Sequence, residues 1–314
     1  MNAITTTTPT AMQAQAHSDN QLIALWLHGK SAHSQRAYMA DVEKFMAYVG
    51  KPLFWYETVL DSETGEPVID KETGKPKIVR KEILLSDLQS FADSLTGSAN
   101  SRKRIISSVK SLFTFGQKLG YLQFNVAAAL KAPKPKNTLA ERILTESEVL
   151  TMIALTTKDR DKVLLRLLYA SAGRVSEICG LCWRDVQPSG DSGQVTLFGK
   201  GGDTRAVKLS KDTWKSLQSI RNGASNDSPV FASQMGGAMV ASRVWQIVRE
   251  AAQRAGIDGN VSPHWLRHSH ASHALDRGAS VALVRDTLGH ASIATTSRYL
   301  HAKPQDSSAL HLAV

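Results

Sequence analysis

Only two cysteines occur in the 314 residues, Cys179 and Cys182, too few for a multi-bridge disulfide framework and compatible with a reducing compartment. No uninterrupted apolar run reaches the roughly 18 residues that a bilayer-spanning helix needs, so a soluble chain is expected. The opening MNAITTTTPTAMQAQAHSDN has neither the basic leader nor the apolar stretch of a secretory signal. Residues 1–16 therefore read as a disordered tail of a cytoplasmic protein. A nucleotide cradle is lacking too: the glycines around Lys200 do not fit G-x-x-x-x-G-K-[ST], which argues against a nucleotide site.

Hydrophobic residues make up 42% of the chain, enough for packed cores, and its length calls for two domains at the usual ~100–200 residues each. The net charge is +10. Residues 1–138 hold 17 Lys and Arg against 12 Asp and Glu, and residues 139–314 hold 21 against 16, so each half carries +5. Such a balance suits a polyanion, since Lys and Arg gain affinity by displacing counterions from phosphates.

Helical periodicity marks 17–50 as two amphipathic helices split near Gly29. The segment 51–82 breaks that pattern: LFWYETVL and KIVRKEIL are strand-like and flank a stretch rich in turn formers, so a β-ribbon or long loop is inserted there. Helices resume at 86–95 and 101–119, with Ser86 and Ser101 as N-caps. Lys131-Ala-Pro-Lys-Pro-Lys136 is a stiff basic connector. Beyond it, Thr145-Glu-Ser-Glu148 is a capping box opening a helix. Further helices are expected at 159–170, 174–181, 211–220, 241–255, 262–275, 281–288 and 293–300, with one β-hairpin from strands 195–198 and 205–209. No repeat of fixed period is evident. The fold class is mainly α with a small β-hairpin or sheet.

Five separated segments carry chemistry. In Tyr169-Ala-Ser-Ala-Gly-Arg-Val-Ser-Glu177 a glycine turn precedes Arg174, and Glu177 shares its helical face, where a carboxylate can fix the guanidinium. Lys200 stands between glycines at a hairpin tip. Pro263-His-Trp-Leu-Arg-His268 places His264 and Arg267 on one turn with Leu266 facing inward, a pairing that suits an anion. His290 follows a C-cap glycine. Tyr299 lies nine residues further on; an unbroken helix would separate the two by roughly 13 Å, so a break capped by Ser292 has to bring them together. Tyr38, Tyr48, Tyr56, Tyr121 and Tyr169 are placed where core packing accounts for them. A zinc site is the competing reading of the histidines on 262–275 and of Cys179-x-x-Cys182. Against it, one Cys pair stands alone with no His pair at finger distance.

In this order Arg174, Lys200, His264-x-x-Arg267, His290 and Tyr299 resemble the tyrosine recombinase (phage integrase) family, of the simple two-domain Xer-like type. LRHSHASHALDRGASVALVRDTLGHASIATTSRYLH looks like the family's carboxy-terminal box, and 145–301 follows the family order. Ser31 to Val49 and Ser86 to Leu130 resemble, more loosely, its helical core-binding domain, from which the 51–82 insertion departs. The resemblance implies a SAM-like DNA-binding domain at 17–130, a linker at 131–137, a mixed α/β catalytic domain at 138–301, and a tail at 302–314 exchanged between subunits. The two domains would grip a duplex as a C-shaped clamp, four protomers assembling on two sites at the nucleoid.

The implied reaction is cleavage and rejoining of DNA through a 3′-phosphotyrosyl bond at Tyr299, without metal, cofactor or ATP. Arg174 and Arg267 would hold the non-bridging oxygens of the transition state. Lys200 would protonate the leaving 5′-hydroxyl, and His264 would assist the nucleophile's proton. His290 would donate to a phosphate oxygen, the two histidine roles being exchangeable. Glu177 would orient Arg174 and His268 would lock its helix. His270 falls where the family often has an aromatic, so packing is its expected part. Arg102, Lys103, Arg104, Lys110, Lys134 and Lys136 are the expected phosphate contacts. A catalytically silent DNA-binding regulator and a type IB topoisomerase-like activity are the alternatives.

Overall fold

The computed structural model describes residues 15–135, 138–199 and 202–300. The chain forms two compact units, Met1–Lys136 and Asn137–Val314, each with its own apolar core.

In the first unit, helix α1 (Asp19–Leu27) starts at Ser18, whose hydroxyl accepts the Gln21 amide, and α2 (Ala32–Val49) starts at Ser31 and ends at Gly50. Helices α3 (Leu85–Ser94) and α4 (Ala99–Lys118) complete the bundle. Along α4 the positions Ile105, Val109, Leu112 and Phe113 recur on one face and pack with Leu22, Val42, Phe45 and Phe91. The expected caps are displaced upstream. The Leu84 amide donates to Asp87 Oδ2 at 2.9 Å, so α3 begins before Ser86. Ser98 accepts the Ser101 amide, which puts Ser101 inside α4.

The insertion is a ribbon. Strand β1 (Phe54–Thr58) pairs antiparallel with β2 (Ile78–Glu82), from Phe54 opposite Glu82 to Thr58 opposite Ile78. Beyond this stem the segments 61–67 and 70–76 both read D-x-E-T-G-x-P, a nine-residue repeat that periodicity over longer windows does not reveal. Each copy builds the same turn. Asp61 Oδ1 accepts the amides of Glu63 and Thr64 at 3.0 and 2.9 Å, and Asp70 Oδ1 accepts those of Glu72 and Thr73 at 3.1 and 2.9 Å. Asx turns of this kind let a side chain stand in for a backbone acceptor. Two tyrosines expected in the core are instead exposed: Tyr56 because the ribbon carries it past the core on which Phe54, on the same strand face, still packs, and Tyr48 because its hydroxyl reaches out to the Ser90 carbonyl.

In the second unit the Thr145–Glu148 capping box forms as expected and opens α5 (Glu146–Ala154). Helices α6 (Asp159–Ser171) and α7 (Val175–Cys179) follow. The expected hairpin is a three-stranded antiparallel sheet, β3 (Val186–Ser189), β4 (Ser192–Phe198) and β5 (Thr204–Lys208). The extra edge strand β3 is four residues long and contains Pro188, so it has no alternation to betray it. Helices α8 (Lys211–Ser219), α9 (Ala241–Arg254), α10 (Pro263–Asp276), α11 (Val281–Leu288) and α12 (Ile293–Ser297) complete it. Leu164, Leu168, Trp183, Val195, Ile247 and Leu266 are among the residues of its main core. Among the described residues no helix is long and apolar enough to cross a membrane.

Candidate active site

The site is assembled where α6 ends, α7 begins and α11 gives way to α12. Ala172 takes a left-handed conformation (φ 49°). At Gly173 an added Cβ would lie 2.7 Å from Ile178 Cδ1, so a side chain at the sharp reversal into α7 would force buried Ile178 to move. That reversal delivers Arg174. Its Nη1 donates to Glu177 Oε1 at 2.8 Å and its Nη2 to the Gly289 carbonyl at 3.2 Å.

Arg267 reaches the same place from α10. It is 5% exposed and donates to the carbonyls of Ala172 and Leu288. The two guanidiniums therefore bind consecutive carbonyls, 288 and 289, at the end of α11. Burial, then Arg174 and Arg205, lowers the Arg267 pKa to about 10, which leaves it charged at neutral pH.

Gly289 is left-handed (φ 61°) and turns the chain out of α11, which presents His290. His290 Nδ1 lies 2.9 Å from Thr296 Oγ1, and Nε2 is the nitrogen left for a ligand. Desolvation, followed by Arg267 and Arg174, holds its pKa near 4, so the ring is neutral at pH 7. The pocket beside it, of about 720 Å³, is lined by Arg174, Arg205, Arg285, Gly289 and His290 among others.

Tyr299 is 6% exposed and packs with Ala172, Ala271, Val284 and Leu288. Its hydroxyl lies 2.7 Å from His268 Nδ1. Burial raises the phenol's pKa, against the opposing charges of Arg267 and Arg298. His268 is itself pushed down to about 4, chiefly by burial, so its ring is neutral at pH 7, and the tautomer with Nδ1 unprotonated can accept from the phenol. His268, expected to lock its helix by hydrogen bonding, is the imidazole in contact with Tyr299. His264 stands one turn away, its ring 6.5 Å from that of His268 and 6.3 Å from Trp245. Desolvation, then Arg267 and Arg174, lowers its pKa. His270 packs as expected, with Nδ1 2.8 Å from the Tyr169 carbonyl.

Glu177, with its side chain 2% exposed, is the electrostatic hub. It accepts the Arg174 amide as well as that residue's guanidinium, and Arg205 Nη1 and Nη2 at 3.0 and 2.6 Å. Burial alone would raise its carboxyl, but the hydrogen bonds from Arg205 and then Arg174 overrule this and hold it at about 2. Arg205 is the participant that sequence reasoning missed. Its signal was the period of two along β5, which puts it on the face of buried Val207. Lys200, Lys136 and the tail 302–314 lie outside the described residues.

In the first unit, the expected phosphate contacts on α4 are only partly free. Arg104 pairs with buried Asp41, and Lys110 donates to the carbonyls of Ala128 and Leu130. Lys103 and Lys134 are exposed. Among the described residues no group of three His, Cys, Asp or Glu side chains is placed to hold a metal.

Paired guanidiniums, a neutral imidazole and a buried phenol define a site for a phosphodiester. Residues 142–306 match the phage integrase family. The chain is 33% identical over 282 residues to tyrosine recombinase XerC of Xylella fastidiosa strain M23, spanning 87% of both chains. It is 34% identical over 219 residues to tyrosine recombinase XerD of Mycobacterium tuberculosis strain CDC 1551 / Oshkosh, spanning 64% of this chain and 70% of that one. In fold it resembles a lambda integrase (75–356) dimer bound to a COC′ core site, with a TM-score of 0.67, 19% identity and 92% and 95% of the two chains covered. A lambda integrase tetramer bound to a Holliday junction gives 0.63 at 16% identity, covering 88% and 78%. The chain belongs to the phage integrase family, as a tyrosine recombinase, an enzyme of site-specific recombination.

Proposed function

We propose that this recombinase cuts and reseals double-stranded DNA through a covalent bond between Tyr299 and a 3′-phosphate. The observation that supports this reading best is the arrival of Arg174 and Arg267 at consecutive carbonyls, with His290 on the next residue. In the transition state the phosphorus carries extra negative charge on its non-bridging oxygens, and permanently charged, bidentate donors stabilise that charge more than the ground state. Arg174 and Arg267 take this role, and His290 Nε2 adds a third donor.

Tyr299 attacks the phosphorus, and the phosphodiester's bond energy is kept in the phosphotyrosyl linkage, so resealing by the 5′-hydroxyl needs no ATP. His268 accepts the phenol's proton along the hydrogen bond already made, with His264 beside it to relay the charge. Lys200 protonates the 5′-oxygen that leaves. The duplex is bound by both units, through Lys103 and Lys134 in the first, and four copies act on two sites. The 302–314 tail is the segment we assign to subunit exchange, and the protein works at the nucleoid.

Incubation with a nicked half-site, whose short 5′ strand diffuses away after cleavage, tests this directly. The wild type is expected to form a covalent, gel-shifted adduct and Tyr299→Phe none. An adduct in Tyr299→Phe would place the nucleophile elsewhere and overturn the assignment of Tyr299; none in the wild type overturns the reading in favour of a silent DNA-binding regulator. Relaxation of a plasmid without a specific site would favour topoisomerase-like activity.

A further inference from the structure

Arg205 belongs to β5, outside the five segments that carry the expected chemistry, yet its guanidinium is the most fully engaged in the site. With its side chain 11% exposed, it forms a fork on Glu177 through Nη1 and Nη2. Its Nε donates to the Thr287 carbonyl at 2.7 Å. The left-handed Gly289 packs directly on it, an added Cβ there meeting Arg205 Nη1 at 3.1 Å. One side chain thus ties the sheet, the start of α7 and the end of α11 together.

We infer that Arg205 is a positioning residue of strand cleavage: it takes up the charge of Glu177 and fixes the 287–290 turn, so that Arg174, Arg267 and His290 face the phosphate. The charge balance gives the reason. Glu177 alone would cancel Arg174, leaving one uncompensated guanidinium for a phosphate whose charge grows in the transition state. With Arg205 in place the cluster of three arginines and one carboxylate keeps two.

Geometry gives a second reason. Without Arg205, Glu177 Oε2 retains only the Arg174 amide, so the carboxylate is free to draw the Arg174 guanidinium off the Gly289 carbonyl. Thr287, Leu288 and Gly289 offer three carbonyls in a row, each bound by a different arginine. A shift of about 1 Å in such a constellation is enough to cost on the order of 100-fold in rate. Lysine cannot replace the fork, because a single ammonium does not span a carboxylate and a carbonyl on different elements.

This inference rests on the cleavage reading above. It is tested by single-turnover adduct formation on the nicked half-site, with DNA affinity and thermal melting measured in parallel, for Arg205→Met, Arg205→Lys, Glu177→Gln and Arg205→Met in the Glu177→Gln background. Arg205→Met is expected to slow adduct formation by about 10–100-fold while changing DNA affinity by no more than about two-fold. Arg205→Lys should recover little, and in the Glu177→Gln background the further loss should be under about three-fold, because the two residues act as one unit.

An unchanged rate in Arg205→Met overturns the assignment. So does an equal loss in both backgrounds accompanied by a matching fall in melting temperature, the mark of a merely structural role. A substrate with sulfur at the bridging 5′ position leaves without a proton. Recovery of the Arg205→Met rate on it would mean that Arg205 serves the leaving-group acid, which also overturns the assignment. Absence of an adduct in the wild type, by contrast, strikes the cleavage reading itself.

Discussion

At the scale of single residues, the site is held by donors that have no spare geometry. Arg267 is buried and bonds two carbonyls from different places, the residue that caps α6 and the last residue of α11. Arg267→Lys keeps the charge but satisfies at most part of this pair. An unsatisfied buried acceptor costs about 1–3 kcal/mol. A drop of that size in unfolding free energy by denaturant titration is expected, together with slower adduct formation.

The histidines make a prediction in pH. His268 and His290 titrate near 4 in the folded chain against an ordinary 6.5, so the unfolded chain takes up protons that the folded one refuses. Their contribution to stability is complete above pH 6.5 and is lost as pH falls toward 4. The melting temperature should decline across that window, and less steeply in His290→Gln. A decline confined to pH below 4 would instead point to Glu177, whose contribution is present above 4.5 and is lost toward 2.

At the scale of elements, the ribbon divides into a stem that matters for stability and a tip that does not. Arg80 lies 3.8 Å from the Phe54 ring and donates to the Tyr121 carbonyl, and Glu82 accepts the Gln123 amide at 2.9 Å. The two Asx turns beyond contribute nothing to the core. Replacing 60–76 by a two-residue turn should leave the melting temperature of the first unit unchanged within about 2 °C, since surface changes are usually within ±0.5 kcal/mol. Arg80→Ala should lower its stability by about 1–3 kcal/mol.

Helices were legible wherever apolar residues repeated on one face, as along α4, and wherever a capping box announced a start, as at Thr145. The N-caps of α3 and α4 lie two and three residues upstream of the expected Ser86 and Ser101. At α4 two serines compete to cap, and at α3 a carboxylate takes the place of the serine; only the packed chain decides between such groups.

At the scale of the whole molecule, the net charge of +10 divides as +5 in residues 1–136 and +5 in 137–314, the same counts as before because residues 137 and 138 are uncharged. If both units neutralise phosphates, affinity for a duplex should fall on the order of 1,000-fold between 50 and 200 mM salt. The excised 137–314 unit, which has its own core, should show a shallower slope of log Kd against log salt in a fluorescence anisotropy titration. Equal slopes would place all phosphate contacts in that unit.

The residue order Arg174, His264-x-x-Arg267, His290, Tyr299 by itself determined the family, because cleavage of a phosphodiester calls for those groups and local turns fix where each must stand. The glycines and prolines determined the breaks between elements, since backbone strain there is local. Only the tertiary structure decided which imidazole meets the phenol, for His264 and His268 lie one helical turn apart and the choice depends on how α12 returns to α10. It alone decided the part of Arg205 as well. The alternation along β5 gives the face that Arg205 takes but not what that face meets, and Glu177, 28 residues away, becomes its partner only when the sheet closes against α7.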